Sequence, residues 1–363
     1  MQALLALEDG CIFNGRSFGD PEEVGAEVVF CTAMSGYQEI LSDPSYCGQL
    51  VVFTAPHIGN YGIHRGLDES RRPWASGAIL RDLSLFPSHP DAVEGLREYM
   101  RRQGLRGMTE VDTRALTLHL RERGVMRGFF TTHREDPEEA VAMARQVPPM
   151  SRRSLVAEVT SSAPQSRGVS ADGPAPSVVI LDYGLKEAIV RELRERGCQI
   201  TVLPADAEPS LVDAQRPDGV VLSNGPGDPE TLRPLLGTVR HCIDRYPTLA
   251  VCLGHQLAGL ALGARIQKLR YGHHGANHPV KDLRTGLVRI TAQNHNYAVA
   301  ADRLPAAVEL THVNLNDGTV EGFLHQDLRL WSFQFHPEGA PGPHDAKSIF
   351  SDFVVSINRY ASP

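Results

Sequence analysis

A short apolar run meets a cysteine and continues as a helix-like pattern in Thr248-Leu-Ala-Val-Cys-Leu-Gly-His-Gln-Leu-Ala-Gly259. Such a pattern predicts a buried strand, a sharp turn and a helix. A thiol at this turn is expected to project with its sulfur exposed, next to backbone N–H groups that can hold an oxyanion. Small residues stand two positions to either side, at Ala250 and Gly254, as a crowded turn requires. An isolated cysteine is more often a buried core thiol, but the Leu-Gly-His-Gln continuation favours a nucleophile.

Around this segment the second half of the chain alternates between strand and helix patterns. Residues Lys186 to Arg196 carry a helical stripe. Strand patterns precede and follow it at Val178–Asp182, Gln199–Leu203 and Gly219–Ser223. This alternation predicts a mostly parallel sheet with flanking helices, an α/β fold. Strand patterns between Val288 and Phe335 are too closely spaced for intervening helices and predict antiparallel pairing, and an amphipathic helix follows over Ile349–Ile357.

The first half has a different organisation, which predicts an N-terminal α+β domain. A hairpin is expected around Asp9-Gly10. Strands are expected at Glu27–Thr32 and Gln49–Thr54, and helices at Ala92–Gln103 and Asp112–Arg123. Residues 160–177 are rich in Ser, Pro and Gly without apolar periodicity. We therefore predict domains over 1–155 and 178–363, joined by a linker over 156–177.

Composition narrows the functional classes. The 363 residues are 42% hydrophobic and 22% charged with a net charge of −7, typical of a globular protein and unfavourable for binding nucleic acid. No stretch resembles a signal peptide or a membrane span, so we expect a cytoplasmic protein with no membrane partner. The six cysteines lack a CxxC pair, which favours free thiols over disulfides or zinc ligands.

Three further segments hold candidate functional groups. His336 and Glu338 flank Pro337 after a predicted strand, and could supply Cys252 with a base and a residue that orients it. The loop Leu222-Ser-Asn-Gly-Pro-Gly-Asp-Pro229 can present backbone groups to a ligand, although it lacks the spacing of a phosphate loop. Gln293-Asn-His-Asn-Tyr297 suits a small polar ligand. Each segment alone could equally be an ordinary turn or loop.

Three histidines in Gly272-His-His-Gly-Ala-Asn-His278 raise the question of a metal site. Adjacent side chains in an extended segment point to opposite faces, and no cysteine or acidic residue lies at ligand spacing. We therefore expect no metal in this chain.

Taken together, these motifs resemble the class I (triad) glutamine amidotransferase family over about residues 178–357. The first domain resembles the N-terminal domain of the small subunit of carbamoyl-phosphate synthetase. This second resemblance rests on Ser35-Gly-Tyr-Gln-Glu-Ile-Leu-Ser-Asp-Pro-Ser-Tyr46, Pro56-His-Ile-Gly-Asn60, Asp112-Thr-Arg-Ala-Leu-Thr117, Gly272–Val280 and Pro341-Gly-Pro-His-Asp345.

The resemblance implies a glutaminase. Cys252 would form a γ-glutamyl thioester and release ammonia, His336 would act as base and then acid, and Glu338 would orient it. The positions that match the family's glutamine-binding residues are Ser45, Gly225, Gly227, Leu253, Gln256, Asn294, Asn296 and Tyr297. The family often has Gly where Ala250 and Asn296 stand. The contact of Asn296 would survive through the main chain if its backbone is left-handed.

The resemblance also implies a partner, a large subunit that uses ATP, Mg and bicarbonate to make carbamoyl phosphate; no cofactor is expected in this chain. The product would serve pyrimidine biosynthesis, arginine biosynthesis or both. Other interpretations are the glutaminase of a different amidotransferase, such as anthranilate or aminodeoxychorismate synthesis, a stand-alone γ-glutamyl cysteine hydrolase, and a non-catalytic interaction subunit.

Overall fold

The computed structural model describes residues 1–134, 136–168 and 175–361. The chain forms two compact units. The first comprises Met1–Arg153 and Arg270–Gly275, and the second comprises Ser154–Leu269 and Ala276–Pro363. A short piece of the C-terminal half therefore belongs to the first unit, which the composition of the chain did not indicate.

The first unit is built on a closed barrel of seven strands, in the order β1-β2-β8-β6-β4-β3-β9. The strands of this unit are β1 (Gln2–Leu7), β2 (Ile12–Gly19), β3 (Val24–Cys31), β4 (Gln49–Phe53), β5 (His57–Ile58), β6 (Gly77–Ile79), β7 (Asp82–Leu83), β8 (Arg106–Thr109) and β9 (Met126–Thr131). Its helices are α1 (Tyr37–Ser42), α2 (Leu96–Arg102), α3 (Thr113–Arg123) and α4 (Pro137–Gln146), with 3₁₀ turns at Pro44–Tyr46 and Met150–Arg152. Buried aliphatic and aromatic side chains, among them Leu5, Val28 and Phe130, fill the barrel.

The expected hairpin and both expected strands of this unit are present. Strands β1 and β2 pair antiparallel across Asp9-Gly10, and Gly10 has a φ of 101°, which a glycine adopts without strain. The first expected helix begins at Leu96 rather than Ala92, because Gly95 takes the N-cap position in an extended conformation. The α+β prediction for this domain is confirmed.

The second unit contains a ten-stranded sheet in the order β10-β12-β11-β13-β14-β19-β18-β17-β15-β16. Its strands are β10 (Gln165–Ser166), β11 (Ser177–Asp182), β12 (Gln199–Pro204), β13 (Gly219–Leu222), β14 (Thr248–Val251), β15 (Ile266–Asp282), β16 (Val288–Val299), β17 (Glu309–Asn314), β18 (Val320–His325) and β19 (Leu330–Phe333). Its helices are α5 (Leu155–Val159), α6 (Glu187–Glu195), α7 (Pro209–Ala214), α8 (Leu236–Arg245), α9 (Leu253–Ala261) and α10 (Ser348–Ala361), with 3₁₀ turns at Pro229–Leu235 and Ala301–Arg303.

The central strands of this sheet are parallel and buried on both faces. Strands β12, β11, β13, β14 and β19 pair parallel, whereas β19, β18, β17 and β15 pair antiparallel, as the close spacing of their patterns predicts. Helices α8 and α9 cover one face, and α6 and α10 cover the other. Alternate residues of β14 accordingly enter different cores: Ala250 faces one, and Leu249 and Val251 face the other.

The predicted linker over 156–177 differs from the structure in its first part. Helix α5 packs Leu155 and Val156 into buried positions, and β10 adds an antiparallel strand to the edge of the sheet at β12. Apolar residues spaced for a single helical turn are too few to produce a recognisable period, which explains why the sequence did not reveal α5. Residues 169–174 of the predicted linker lie outside the described residues.

All six cysteines are free thiols, as expected, and five of them are buried. Within the described ranges, no helix has the length and apolar character needed to span a membrane.

Candidate active site

Cys252 occupies the turn between β14 and α9, where it is the N-cap of the helix. Its backbone has φ 53° and ψ −104°, a conformation that is costly for a residue with a side chain. The neighbouring strand holds this turn in place, since Cys252 N–H donates to the carbonyl of Phe333 at 2.8 Å. Strain of this kind at a strand-to-helix junction is typical of a nucleophile elbow.

Two glycines allow the loop after β13 to pack directly against the elbow. A Cβ on Gly254 would lie 2.2 Å from the carbonyl oxygen of Leu222, and a Cβ on Gly225 would lie 2.1 Å from that of Tyr183. The Gly254 N–H donates to the carbonyl of Ser223 at 3.0 Å. Leu253 is the first residue of α9, where a helix leaves its N–H groups without an intrahelical partner. The Leu253 N–H is therefore a candidate donor to an oxyanion formed next to Cys252.

The Cys252 side chain is buried, so the expectation of an exposed sulfur is wrong. Only 2% of the residue is accessible. Its Sγ lies 3.5 Å from the carbonyl oxygen of Asn294 and 3.7 Å from Nε2 of Gln334. These two residues lie on or beside strands that are distant in sequence, and their approach over the sulfur could not be foreseen from the elbow segment.

The His336-Pro337-Glu338 turn brings a carboxylate against an imidazole. His336 Nδ1 donates to Glu338 Oε1 at 2.6 Å, and both side chains are almost fully buried. Burial alone would lower the pKa of His336, but the charge of Glu338 and then of Cys252 beside it raise that pKa well above its ordinary value. The imidazole is thereby favoured in its protonated form next to the thiol, and the hydrogen bond at Nδ1 directs Nε2 away from the carboxylate.

Lys186, which the sequence did not single out, completes this cluster. Its Nζ lies 3.0 Å from Glu338 Oε1 and donates to the carbonyl of Gly339 at 2.7 Å, with 2% of the side chain exposed. Burial would raise the pKa of Glu338, but Lys186 and then His336 hold it well below its ordinary value. Lys186 is the N-cap residue of α6, where a positive charge opposes the helix dipole. That unfavourable position is the one sequence signal that could have indicated it.

The structure gathers most of the expected substrate-binding residues near the elbow in the second unit. Gln256 follows it on α9 and donates through Nε2 to the carbonyl of Tyr297 at 2.8 Å. Asn294, Asn296 and Tyr297 are buried on β16. Asn296 does not have the left-handed backbone that we considered, because it lies within a regular strand. The roles of these residues stay predictions.

The remaining expected glutamine-binding positions lie in a loop of the second unit and in a 3₁₀ turn of the first unit. Gly225 and Gly227 lie in the loop after β13, and Gly227 has a φ of 97°, which favours glycine there. Ser45 belongs to the first unit, where it is buried in the 3₁₀ turn Pro44–Tyr46 and its N–H donates to Asp43. Its contribution to glutamine binding stays a prediction, as does the expected absence of a metal.

A strained cysteine, an imidazole held by a carboxylate and an available helix N–H are the parts that acyl transfer through a thioester requires. In agreement, residues 179–356 match the family model of glutamine amidotransferase class-I, so the second unit is a domain of that class. Residues 5–130 match the model of the carbamoyl-phosphate synthase small chain, CPSase domain. The α/β fold predicted for the C-terminal part, with an added N-terminal domain, is confirmed.

Relatives of the whole chain make the assignment narrower. The carbamoyl phosphate synthase small chain of Symbiobacterium thermophilum is 47% identical over 98% of this chain and 98% of its own length. Those of Nitratidesulfovibrio vulgaris and Aquifex aeolicus are 44% and 43% identical, and each comparison covers at least 97% of both chains. The chain belongs to the carbamoyl phosphate synthase small chain family. The small chain is the glutamine-hydrolysing subunit of that enzyme. A small chain implies a large-chain partner.

Proposed function

We propose that this chain hydrolyses glutamine through a Cys252–His336–Glu338 triad and passes the ammonia to a large subunit that makes carbamoyl phosphate. The observation that carries the proposal is the buried charge array that ends at the elbow. Lys186 holds Glu338 ionised, Glu338 holds His336 protonated, and His336 lies beside the strained cysteine. Buried charges are costly unless each is paired, and here every member has a partner.

In the first half of the reaction, the proton of Cys252 resides on His336 and the thiolate attacks the γ-carbonyl carbon of glutamine. A C–S bond forms as the carbonyl electrons move to oxygen, and the Leu253 N–H donates to the resulting oxyanion. The tetrahedral carbon then expels the amide nitrogen, which takes the proton from His336 and leaves as ammonia. The product on the enzyme is a γ-glutamyl thioester.

In the second half, neutral His336 accepts a proton from water as the water attacks the thioester carbon. The C–S bond breaks, the electron pair returns to sulfur, and glutamate departs. Glu338 stabilises the imidazolium that forms in each half through its bond to Nδ1, and Lys186 prevents that carboxylate from taking up the proton itself.

Glutamine recognition is assigned to the residues around the sulfur. In this assignment Gly225 and Leu253 offer backbone groups to the amide end of glutamine, and Gly227, Gln256, Asn294, Asn296 and Tyr297 contact the rest of the substrate. Ser45 is assigned to the same set because it matches a glutamine-binding position of the family. Support comes from the positions of these residues after β13, on α9 and on β16. Polar amide groups are suited to a zwitterionic substrate because each offers both donors and acceptors.

Ammonia is useful to carbamoyl phosphate synthesis only if it reaches the partner before it is protonated in water. The partner would hold ATP, Mg and bicarbonate, and its product would enter pyrimidine biosynthesis, arginine biosynthesis or both. A cytoplasmic location is part of the same proposal. The proposal as a whole is supported by the family to which the chain belongs and by the match of this chain to small chains over nearly its full length.

The test is glutamine hydrolysis by the chain alone, by Cys252→Ser, and by each with a carbamoyl phosphate synthase large subunit. We expect weak activity alone, marked stimulation by the partner and loss in the variant. Unchanged hydrolysis in Cys252→Ser would exclude the mechanism. Full activity without a partner would instead favour a stand-alone hydrolase of γ-glutamyl compounds.

A further inference from the structure

One buried polar side chain touches the reacting sulfur and has no part in the mechanism described above. Gln334 is fully buried, two residues before His336. The parallel register of β14 and β19 pairs Val251 with Phe333, so the next residue of each strand, Cys252 and Gln334, are neighbours at the carboxyl end of the sheet. Backbone contacts hold this segment from the other side, since Gln334 N–H donates to the carbonyl of Glu321 at 2.9 Å.

Gln334 is the last member of a chain of hydrogen bonds. Gln256 Nε2 donates to the carbonyl oxygen of Tyr297 at 2.8 Å and to Gln334 Oε1 at 3.1 Å. Gln334 Nε2 in turn donates to Cys252 Sγ at 3.7 Å. The chain thus runs from a backbone carbonyl through two side-chain amides to the sulfur.

The backbone carbonyl determines the direction of every bond in this chain. The oxygen and nitrogen of a glutamine amide have nearly the same shape, so only their partners distinguish them. A carbonyl oxygen can only accept, hence the Gln256 atom that faces Tyr297 must be its nitrogen. The same nitrogen faces Gln334, which must therefore turn its oxygen to Gln256 and its nitrogen to Cys252. An N–H group is thus aimed at the sulfur.

The sulfur consequently meets two different groups in its two protonation states. As a thiol it can donate to the carbonyl of Asn294, which lies 3.5 Å away. As a thiolate it can only accept, and the amide of Gln334 is positioned to donate to it. Charge-assisted hydrogen bonds are roughly twice as strong as neutral ones, so the amide favours the thiolate over the thiol.

We propose that Gln334 is a catalytic residue that stabilises the Cys252 thiolate, and that the Tyr297 carbonyl sets the direction of its amide through Gln256. The proposal rests on the glutaminase mechanism above. The Gln334 amide acts at two points of that mechanism. It donates to the thiolate before attack, and it donates to the thiolate that forms again when the thioester is hydrolysed. Because Gln256 is also expected to touch glutamine, substrate contact and nucleophile activation share one side chain.

The test is the pH midpoint of Cys252 ionisation in the free protein. Thiolate ultraviolet absorbance is measured against pH, and the same titration of the matching Cys252→Ser protein is subtracted. Gln334→Met keeps the size of the side chain and removes the donor. His336, and Glu338 and Lys186, the charged groups that act on it, remain in place. We expect the midpoint to rise by about one pH unit, the effect of one hydrogen bond to a charged group.

Ser332→Ala is the matched control. Ser332 is also fully buried on β19, and its Oγ bonds to His255 Nδ1 at 2.8 Å rather than to the sulfur. This variant should lose a comparable buried hydrogen bond and leave the midpoint in place. An unchanged midpoint in folded Gln334→Met would overturn the proposal, and so would an equal rise in Ser332→Ala.

A second variant covers the case in which Gln334→Met does not fold. Gln256→Met leaves Gln334 in place but removes the group that directs its amide, so the midpoint should rise by a smaller amount. No rise in this variant would contradict the relay. The titration requires no glutamine, so a wild-type chain that fails to hydrolyse glutamine would refute the glutaminase without deciding the role of Gln334.

Discussion

Lys186→Met tests whether the buried charge array is the centre of the site. The lysine side chain is 2% exposed, and its Nζ contacts both Glu338 Oε1 and the carbonyl of Gly339. Methionine has a similar length and fits the same space without a charge. The substitution would leave the fully buried carboxylate of Glu338 with His336 as its charged partner.

The expected loss of stability is large for a single side chain. Breaking a buried ion pair by removing one partner costs about 3–5 kcal/mol of unfolding free energy. Glu338 would respond through its pKa, which burial raises and Lys186 now lowers. Once the lysine is absent, that pKa moves up, so the acid limb of the pH–activity profile should move to higher pH. A rise of one unit in the relevant pKa corresponds to about a tenfold loss of activity on that limb.

Lys347→Met provides the control for this substitution. Lys347 also pairs with a buried glutamate, Glu192, but its side chain is 33% exposed and Glu192 keeps a second partner in Arg196 at 2.7 Å. We expect a change within about 1 kcal/mol, as for exposed pairs, and an unaltered pH profile. Both variants would be compared by denaturant unfolding and by glutaminase activity between pH 4 and 8. This is about the range that spans the ordinary pKa values of carboxyl and imidazole groups. Equal stability losses and equal profiles would refute the role assigned to Lys186.

Two further predictions concern the elbow and the triad. Gly254→Ala should abolish most activity and lower the free energy of unfolding by about 2 kcal/mol or more, because the added Cβ would lie 2.2 Å from the Leu222 carbonyl oxygen. The control is Gly237→Ala in α8, where an added Cβ has nothing within 4 Å and should stabilise the protein by about 0.5–1 kcal/mol. Similar unfolding midpoints for the two variants would contradict the packing argument. Glu338→Gln should lower the raised pKa of His336. A histidine whose pKa is raised by folding stabilises the protein at pH values below its unfolded pKa of 6.5, and this stabilisation is lost as pH rises through its folded pKa. The difference in unfolding free energy between wild type and variant should therefore shrink as pH increases above 6.5. A difference that stays constant to pH 10 would exclude the coupling between Glu338 and His336.

Much of the fold could be predicted because its signals are local. The strands β11, β13 and β14 are built on continuous apolar runs and α6 carries an amphipathic stripe, so length and period were enough to place them, whereas α7 and α8 between the strands were not placed by residue. The helix α5 and the edge strand β10 were missed, since each is too short to show a period. The assignment of Arg270–Gly275 to the first unit was also beyond reach, because a strand as long as β15 can serve two units without any change of pattern.

In the candidate site, too, some residues were recognisable from local motifs and some contacts were not. Cys252, His336 and Glu338 were recognisable from motifs within a few residues of each, and Glu338 does hold His336 as the His-Pro-Glu turn suggested. The burial of the sulfur was not recognisable, since the groups that cover it, Asn294 and Gln334, lie on other segments. Lys186 belongs to no such motif, and a lysine at the start of a helix is usually solvated rather than buried.

By itself, the sequence determined which chemical groups this protein has and in which local turn each one lies: a thiol at an elbow, an imidazole beside a carboxylate, and glycines where backbones meet. Only the tertiary structure decided which of these groups act on one another. Strand pairing brings Gln334 beside Cys252. The fold also places the buried side chain of Lys186 against the carboxylate of Glu338. The physical reason is that register and burial are set by packing of the whole sheet, and burial turns modest hydrogen bonds and charges into strong, directed interactions. The strained cysteine at the start of α9 therefore owes its turn to local sequence and the groups around its sulfur to tertiary packing.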